Sequence, residues 1–196
     1  LPAARDILAA DIAAARAQAD VVIVALHQGR VHTPAVIEGY ELAAAHAAVE
    51  CGADAVIAHH AHIVRGISFH QGRPIFHGLG NGCVVTSALS PGQDHAVRAE
   101  WARKRREIFG FEPDPAYSLA PFHPEAVNAF AGRLRIDTTG AVEVGIVPVH
   151  VEPPGRPVLA DSHAARRIAD YVEQITVAAG LPPITIDDEG RVEPMV

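Results

Sequence analysis

Two short apolar runs, Val21-Val22-Ile23-Val24-Ala25-Leu26 and Ala55-Val56-Ile57-Ala58, constrain the fold more than any other feature of the chain. Both are rich in β-branched residues and too short for buried helices. They lack the polar alternation of a half-exposed strand, so they read as parallel strands covered on both faces, the first of them central. Between them Thr33-Pro34 offers an N-cap followed by proline at the first helical position, and the apolar pattern through Tyr40, Leu42 and Val49 ends at Gly52. Strand, helix and strand over residues 21–58 have the length that a right-handed crossover requires, which places the two strands parallel in one sheet.

The flanking segments fill in an α/β chain of parallel strands followed by β-hairpins. Residues 3–19 carry apolar positions at helical spacing. Residues 66–70 and 74–79, separated by Gln71-Gly72-Arg73, read as a hairpin. Residues 81–95 read as loop, 97–108 as a charged helix, and 109–124, with four prolines and no period, as a surface excursion or lid. Residues 130–136 and 142–151 around Thr138-Thr139-Gly140 form a second hairpin. Asp161-Ser162 caps a last helix that ends at Gly180.

Composition excludes several classes. With 23 acidic and 16 basic residues the formal charge is −7, which disfavours binding by counterion release, so no nucleic-acid partner is expected. The only basic run, Arg103-Lys104-Arg105-Arg106, lies beside Glu100 and Glu107 and reads as a solvated helix face. Two cysteines, Cys51 and Cys83, form neither a disulfide framework nor a CxxC pair. No apolar run approaches the roughly 18 residues of a membrane span. Localisation stays open: cytoplasmic without an upstream signal or anchor, cell envelope with one.

Chemistry concentrates where the buried runs end. Of 12 histidines, three crowd into His59-His60-Ala61-His62 directly after the second run, and His27 occupies the matching place after the first. In open parallel sheets ligands collect beyond the carboxyl ends of the strands, and adjacent strands lie about 4.8 Å apart. The two histidine positions therefore face each other across a short gap. In an extended backbone alternate side chains point the same way, which puts His60 and His62 on one side and His59 on the other. His27, His60 and His62 are the expected metal ligands, with His59 outside the coordination sphere. Neutral imidazole suits zinc, iron, manganese or nickel, so the set does not select the metal. The alternative is that strand-end histidines are polar loop residues bonded to nearby backbone.

Gly78-Leu79-Gly80-Asn81-Gly82 resembles half of a dinucleotide fingerprint, but the β-prone Cys83-Val84-Val85 follows where a helix N-terminus is required. The glycines read either as a plain turn or as a close backbone approach to the site, with His77 and Asn81 supplying hydrogen bonds or substrate contacts. His123 belongs to the proline-rich excursion and is taken as a surface-loop residue, the alternative being that it reaches over the crevice.

Residues 20–29 (DVVIVALHQG), 52–66 (GADAVIAHHAHIVRG) and 72–81 (GRPIFHGLGN) resemble, in order and spacing, the second part of the CapA family of capsule and poly-gamma-glutamate synthesis proteins. That family is similar in fold to the calcineurin-like metallophosphoesterases, and the resemblance extends through Pro148. It implies a metallophosphoesterase-like layered fold, N-terminally incomplete, with residues 1–151 as the C-terminal portion of the domain and 152–196 as a helical extension packed on it. His27 matches the family's isolated metal-binding histidine, and His60 and His62 match its closing HxH pair. Gly82 stands where family members carry an aromatic residue. The earlier Gly-Asp, Asn-Leu-Glu and Asn-His motifs are absent from these residues, so no catalytic residue is assigned.

The implied function is a metal-dependent hydrolytic enzyme linked to capsule or poly-gamma-glutamate metabolism. It would use a divalent transition metal, dinuclear in the intact domain and not distinguishable among Mn, Fe and Zn. Its substrate would be anionic, either a small molecule or a polymer. Alternatives are a non-catalytic assembly or polymer-handling subunit, or a metal-assisted proton-abstraction enzyme acting on a peptide-like substrate. Association through the face left by the missing N-terminal strands is a further expectation.

Overall fold

A computed structural model of the chain describes residues 2–86, 96, 100, 104, 107–111, 114–119 and 123–195. Helix α1 (Pro2–Arg16) leads to β1 (Ile23–His27), and helix α2 (Gly39–Glu50) leads to β2 (Ala55–His59). The hairpin β3 (Ile67–His70) and β4 (Arg73–Phe76) follows. These strands form one sheet in the order β1-β2-β4-β3, in which β1, β2 and β4 run parallel and β3 is antiparallel to β4. The expected crossover is present.

The first strand is not central. β1 lies at the edge of this sheet and its burial alternates, with Ile23 47% exposed and Val22 buried. Val22 and Val24 pack with Ile12, Ala45, Ala48 and Val56 in a cluster between the helices and the sheet. The opposite side chains of the run remain outside that cluster, and an all-apolar run gives no sign of which side is covered. β2 takes the central place, with Ala55 and Val56 fully buried.

Helix α2 also begins later than expected. The Thr33 hydroxyl donates to the Arg30 carbonyl (3.2 Å) instead of capping a helix, and residues 34–38 are not helical. Glu38 is the N-cap, and its N–H donates to Glu41 Oε1 at 2.9 Å, the reciprocal half of a capping box.

A second sheet stands behind the first. It consists of β5 (Asn128–Ile136), β6 (Val142–Glu152) and β7 (Arg156–Leu159), in antiparallel order. Helix α3 (Ser162–Ala178), capped by Asp161 Oδ1 accepting from Ala164 N (2.8 Å), closes the core. Phe76, Ile67, Phe130, Ile146, Ile168 and Val172 meet there. The Thr176 hydroxyl accepts from Ile67 N (3.1 Å) and donates to the Val172 carbonyl, which fixes α3 to the first sheet. Residues 152–196 are thus more than a helical extension: β7 pairs with β6, and β8 (Ile184–Ile186) with β9 (Val192–Pro194). Strands of three residues are too short to carry a readable period.

Most of the expected helix at 97–108 and part of the loop at 81–95 lie outside the described residues; of the basic run only Lys104 is described, 3.6 Å from Glu100. The described part of the excursion is tied down by Leu119 N donating to the Pro154 carbonyl (2.8 Å) and Tyr117 OH to the Val151 carbonyl (3.1 Å). Among the described residues no helix is long and apolar enough to cross a membrane, and Cys51 and Cys83 are both free.

Asp54 ties these layers together. Its carboxylate accepts from Val22 N (2.9 Å) and Arg16 (2.5 Å) and lies 3.5 Å from Arg73. Burial pushes its pKa up, but the Val22 amide and the two arginines outweigh burial and hold it below the usual carboxylate range. Its contribution is complete above the unfolded-state pKa of about 3.9 and is lost as pH falls through the lower folded value. Asp54→Ala should cost about 2–3 kcal/mol in urea unfolding at neutral pH. Asp54→Asn should flatten the acid limb of the stability profile, and an unchanged limb would contradict this assignment.

Candidate functional site

β1 and β2 are paired from Ile23↔Ala55 to His27↔His59, so both strands deliver a histidine to the carboxyl edge together. β2 ends at His59. The next residues are not extended: His60 has φ 91° and His62 φ 54°. The alternation argument that separated His59 from His60 and His62 therefore fails, because it presupposes a strand through residue 62. Positive φ in a bulky residue is unfavourable and persists only where the surroundings enforce it, a condition concentrated at functional sites. His32, also at φ 56°, belongs to this strained set, and its N–H donates to the Ala61 carbonyl at 2.8 Å.

The turn at His60 brings its Nδ1 to 2.9 Å from His27 Nε2, with ring centroids 4.7 Å apart. The His60 pKa is held below that of an ordinary histidine, first by burial and then by the neighbouring His27 and His62, with Glu41 opposing. His62 stands one ring away, its centroid 6.5 Å from that of His60. Its orientation is set by Asn81, which is fully buried. Asn81 Nδ2 donates to the His62 carbonyl (3.0 Å), so its Oδ1 is the atom 3.2 Å from His62 Nδ1. An oxygen acceptor there requires the proton on Nδ1, which leaves the Nε2 lone pair available.

These side chains, together with His59 and residues 78–81, line a cleft of about 230 Å³. No carboxylate is among its lining residues. Gly78 cannot carry a side chain, because a Cβ there would lie 2.9 Å from the Ile63 carbonyl and 3.2 Å from the Arg65 stem. The close approach expected of the glycine segment is thus to the residues behind the HxH turn. His77 is not in the cleft. It is buried, its Nε2 lies 2.9 Å from Ser68 Oγ, and burial followed by Arg65 lowers its pKa to about 3. Among the described residues no three His, Cys, Asp or Glu side chains are arranged to hold a metal ion.

Two features were not legible in the sequence. His32 packs edge-on against Phe109 (4.9 Å) and Phe111 (5.6 Å) and lies 6.2 Å from His62, while Phe111 also meets His123 at 4.9 Å. The excursion therefore reaches His32 through Phe109 and Phe111, with His123 against Phe111, and only its proline content and lack of a period hinted at a segment folding over the site. The second is a fully buried ion pair, Arg65 with Glu41. Their separation of 24 residues and ordinary surroundings in the chain carry no signal.

The His62 tautomer is directly testable. Long-range ¹H–¹⁵N correlation spectra should show the proton on Nδ1 in the parent chain and a tautomer mixture in Asn81→Ala. An Nε2–H form in the parent would refute the assignment.

Comparison with known proteins finds no match among curated proteins. The family model of the bacterial capsule synthesis protein PGA_cap matches residues 2–84, a span that contains β1 to β4, the four cleft histidines and Asn81. The remainder of the chain, including the second sheet and α3, lies outside that match. Residues 2–84, which carry the cleft, are thus similar to the bacterial capsule synthesis protein family, which is of the metallophosphoesterase-like group.

Proposed function

We propose that this capsule synthesis-related protein is a metal-dependent hydrolase whose His27 and His60 share one divalent transition-metal ion. The observation that carries the reading is the 2.9 Å separation of His27 Nε2 and His60 Nδ1 at the ends of two parallel strands. Two imidazole nitrogens each about 2.1 Å from one ion and at right angles to one another stand about 3.0 Å apart. The separation therefore matches two adjacent positions of a coordination sphere once the proton shared between the two nitrogens is displaced by the ion. His62, with Nε2 unprotonated, offers a donor to a second ion. A bound divalent ion would polarise the bond under attack and make its water acidic.

The chain's own residues have separate tasks in this reading. His27 and His60 hold the ion, Asn81 keeps the His62 lone pair outward, and residues 78–81 bound the space that a substrate enters. Three neutral imidazoles bring no negative charge, so a dinuclear centre would need further donors, carboxylates among them. The substrate is an anionic ester or amide of the capsule-polymer type. The lack of a carboxylate in the cleft lining favours one other reading, a polymer-handling subunit that keeps the fold without turnover.

His27→Ala and His60→Ala should each weaken cobalt(II) binding by at least about tenfold, read from visible absorption during titration. His59→Ala should change it less than twofold. Equal losses from all three would assign the ion to a different donor set. Hydrolysis of a generic phosphodiester with added manganese separates the two readings, since the subunit reading predicts none even where metal binds.

A further inference from the structure

We infer that the buried Arg65–Glu41 ion pair is the positioning element of the histidine site, setting where His27 stands relative to His60. Both side chains have zero exposure and meet through two bonds, Nη1 to Oε2 at 2.5 Å and Nη2 to Oε1 at 3.2 Å. Such a pair is a poor device for stability, because taking two charges out of water offsets their attraction, and apolar replacements are often as stable. Here the account is worse still: Arg65 Nε is buried with no partner among the described residues. The reason for the pair lies in what it touches.

One end of the pair supports the turn after β1. Gly29, two residues beyond His27, has φ +106°, and a Cβ there would collide with both the Arg65 guanidinium and the Glu41 carboxylate. The turn rests directly on the pair. It is also tied to the start of α2: Gln28 Nε2 donates to the Glu41 carbonyl at 3.3 Å, and Gly29 N to Tyr40 OH at 3.0 Å. Glu41 Oε1 in turn accepts from Glu38 N at 2.9 Å, so the same carboxylate fixes where α2 begins.

The other end supports the glycine segment that lines the cleft. Arg65 is three residues after His62, its N–H donates to the Gly78 carbonyl at 3.1 Å, and its stem lies against Gly78. One side chain thus spans from the glycine segment to the turn that carries His27. With guanidinium and carboxylate locked in a planar two-bond fork, the span has a fixed length, which an apolar filler of similar volume does not supply.

The inference uses the proposed metal reading for its consequence on metal affinity, but its geometry is readable without metal. The test compares the parent chain with Arg65→Met/Glu41→Leu, which removes both charges together, and with Arg65→Lys, which keeps charge and stem but loses the fork. Nuclear Overhauser contacts between the His27 and His60 rings are measured in the metal-free chains, followed by thermal unfolding and cobalt(II) titration.

The expected result is a double variant that unfolds no earlier than the parent, lacks the ring contact and binds cobalt(II) at least about tenfold more weakly. Arg65→Lys should remain folded with a weakened contact. Retention of the full ring contact in either variant, or failure of the double variant to fold, would overturn the positioning role. A parent chain that shows the contact yet binds no cobalt(II) would sink the metal reading alone, and the ring contacts would still decide the role of the pair.

Discussion

The parallel pairing of β1 with β2 is the constraint on which the site depends. Five consecutive register partners, from Ile23↔Ala55 to His27↔His59, end both strands at the same level. A slip of one residue would turn His27 to the other face and bury the wrong side of β1. Register is secured from below by α1 and α2, whose Ile12, Ala45 and Ala48 pack against Val22 and Val56. It is secured at the amino end by Asp54, whose carboxylate and amide both bond to Val22. The remainder of the architecture, the second sheet and α3, braces the far side of the first sheet and contributes no histidine to the cleft lining.

Much of this arrangement was legible because it depends on local pattern. The two apolar runs gave strands, their spacing gave a parallel crossover, and the histidines directly after them gave the edge on which chemistry gathers. What was not legible depends on partners distant in the chain. The start of α2 moved because the Thr33 hydroxyl is engaged by Arg30 and the carboxylate of Glu41 takes over at Glu38. The edge position of β1 is not encoded in its pattern, because apolar side chains at an edge look like those in a middle. The turn at His60 was invisible, since nothing in a histidine announces positive φ.

Environment separates histidines that the sequence presents as equals. His62 and His77 each have one ring nitrogen facing an oxygen, Asn81 Oδ1 in one case and Ser68 Oγ in the other. His62 is half-buried and lines the cleft, so its second nitrogen is open to a ligand. His77 is enclosed, and its second nitrogen has no partner among the described residues. Burial keeps it neutral. The first histidine borders the cleft, and the second packs in the core.

Electrostatics narrows what the cleft can receive. The chain carries a formal charge of −7, yet no carboxylate lines the cleft. Glu41, whose charge is felt at His60, is neutralised by Arg65 in the layer beneath. The walls therefore offer lone pairs rather than a field, and lone pairs on imidazole select borderline-soft cations over hard ones. An anionic polymer approaching an acidic protein meets net repulsion, attenuated by salt beyond about 8 Å at physiological ionic strength. A cation held between His27 and His60 would supply the missing local attraction at the point where the bond is attacked. Within the proposed function, metal binding and substrate binding are thus one requirement: an ion on the histidine pair would give a net acidic chain the positive charge that an anion needs.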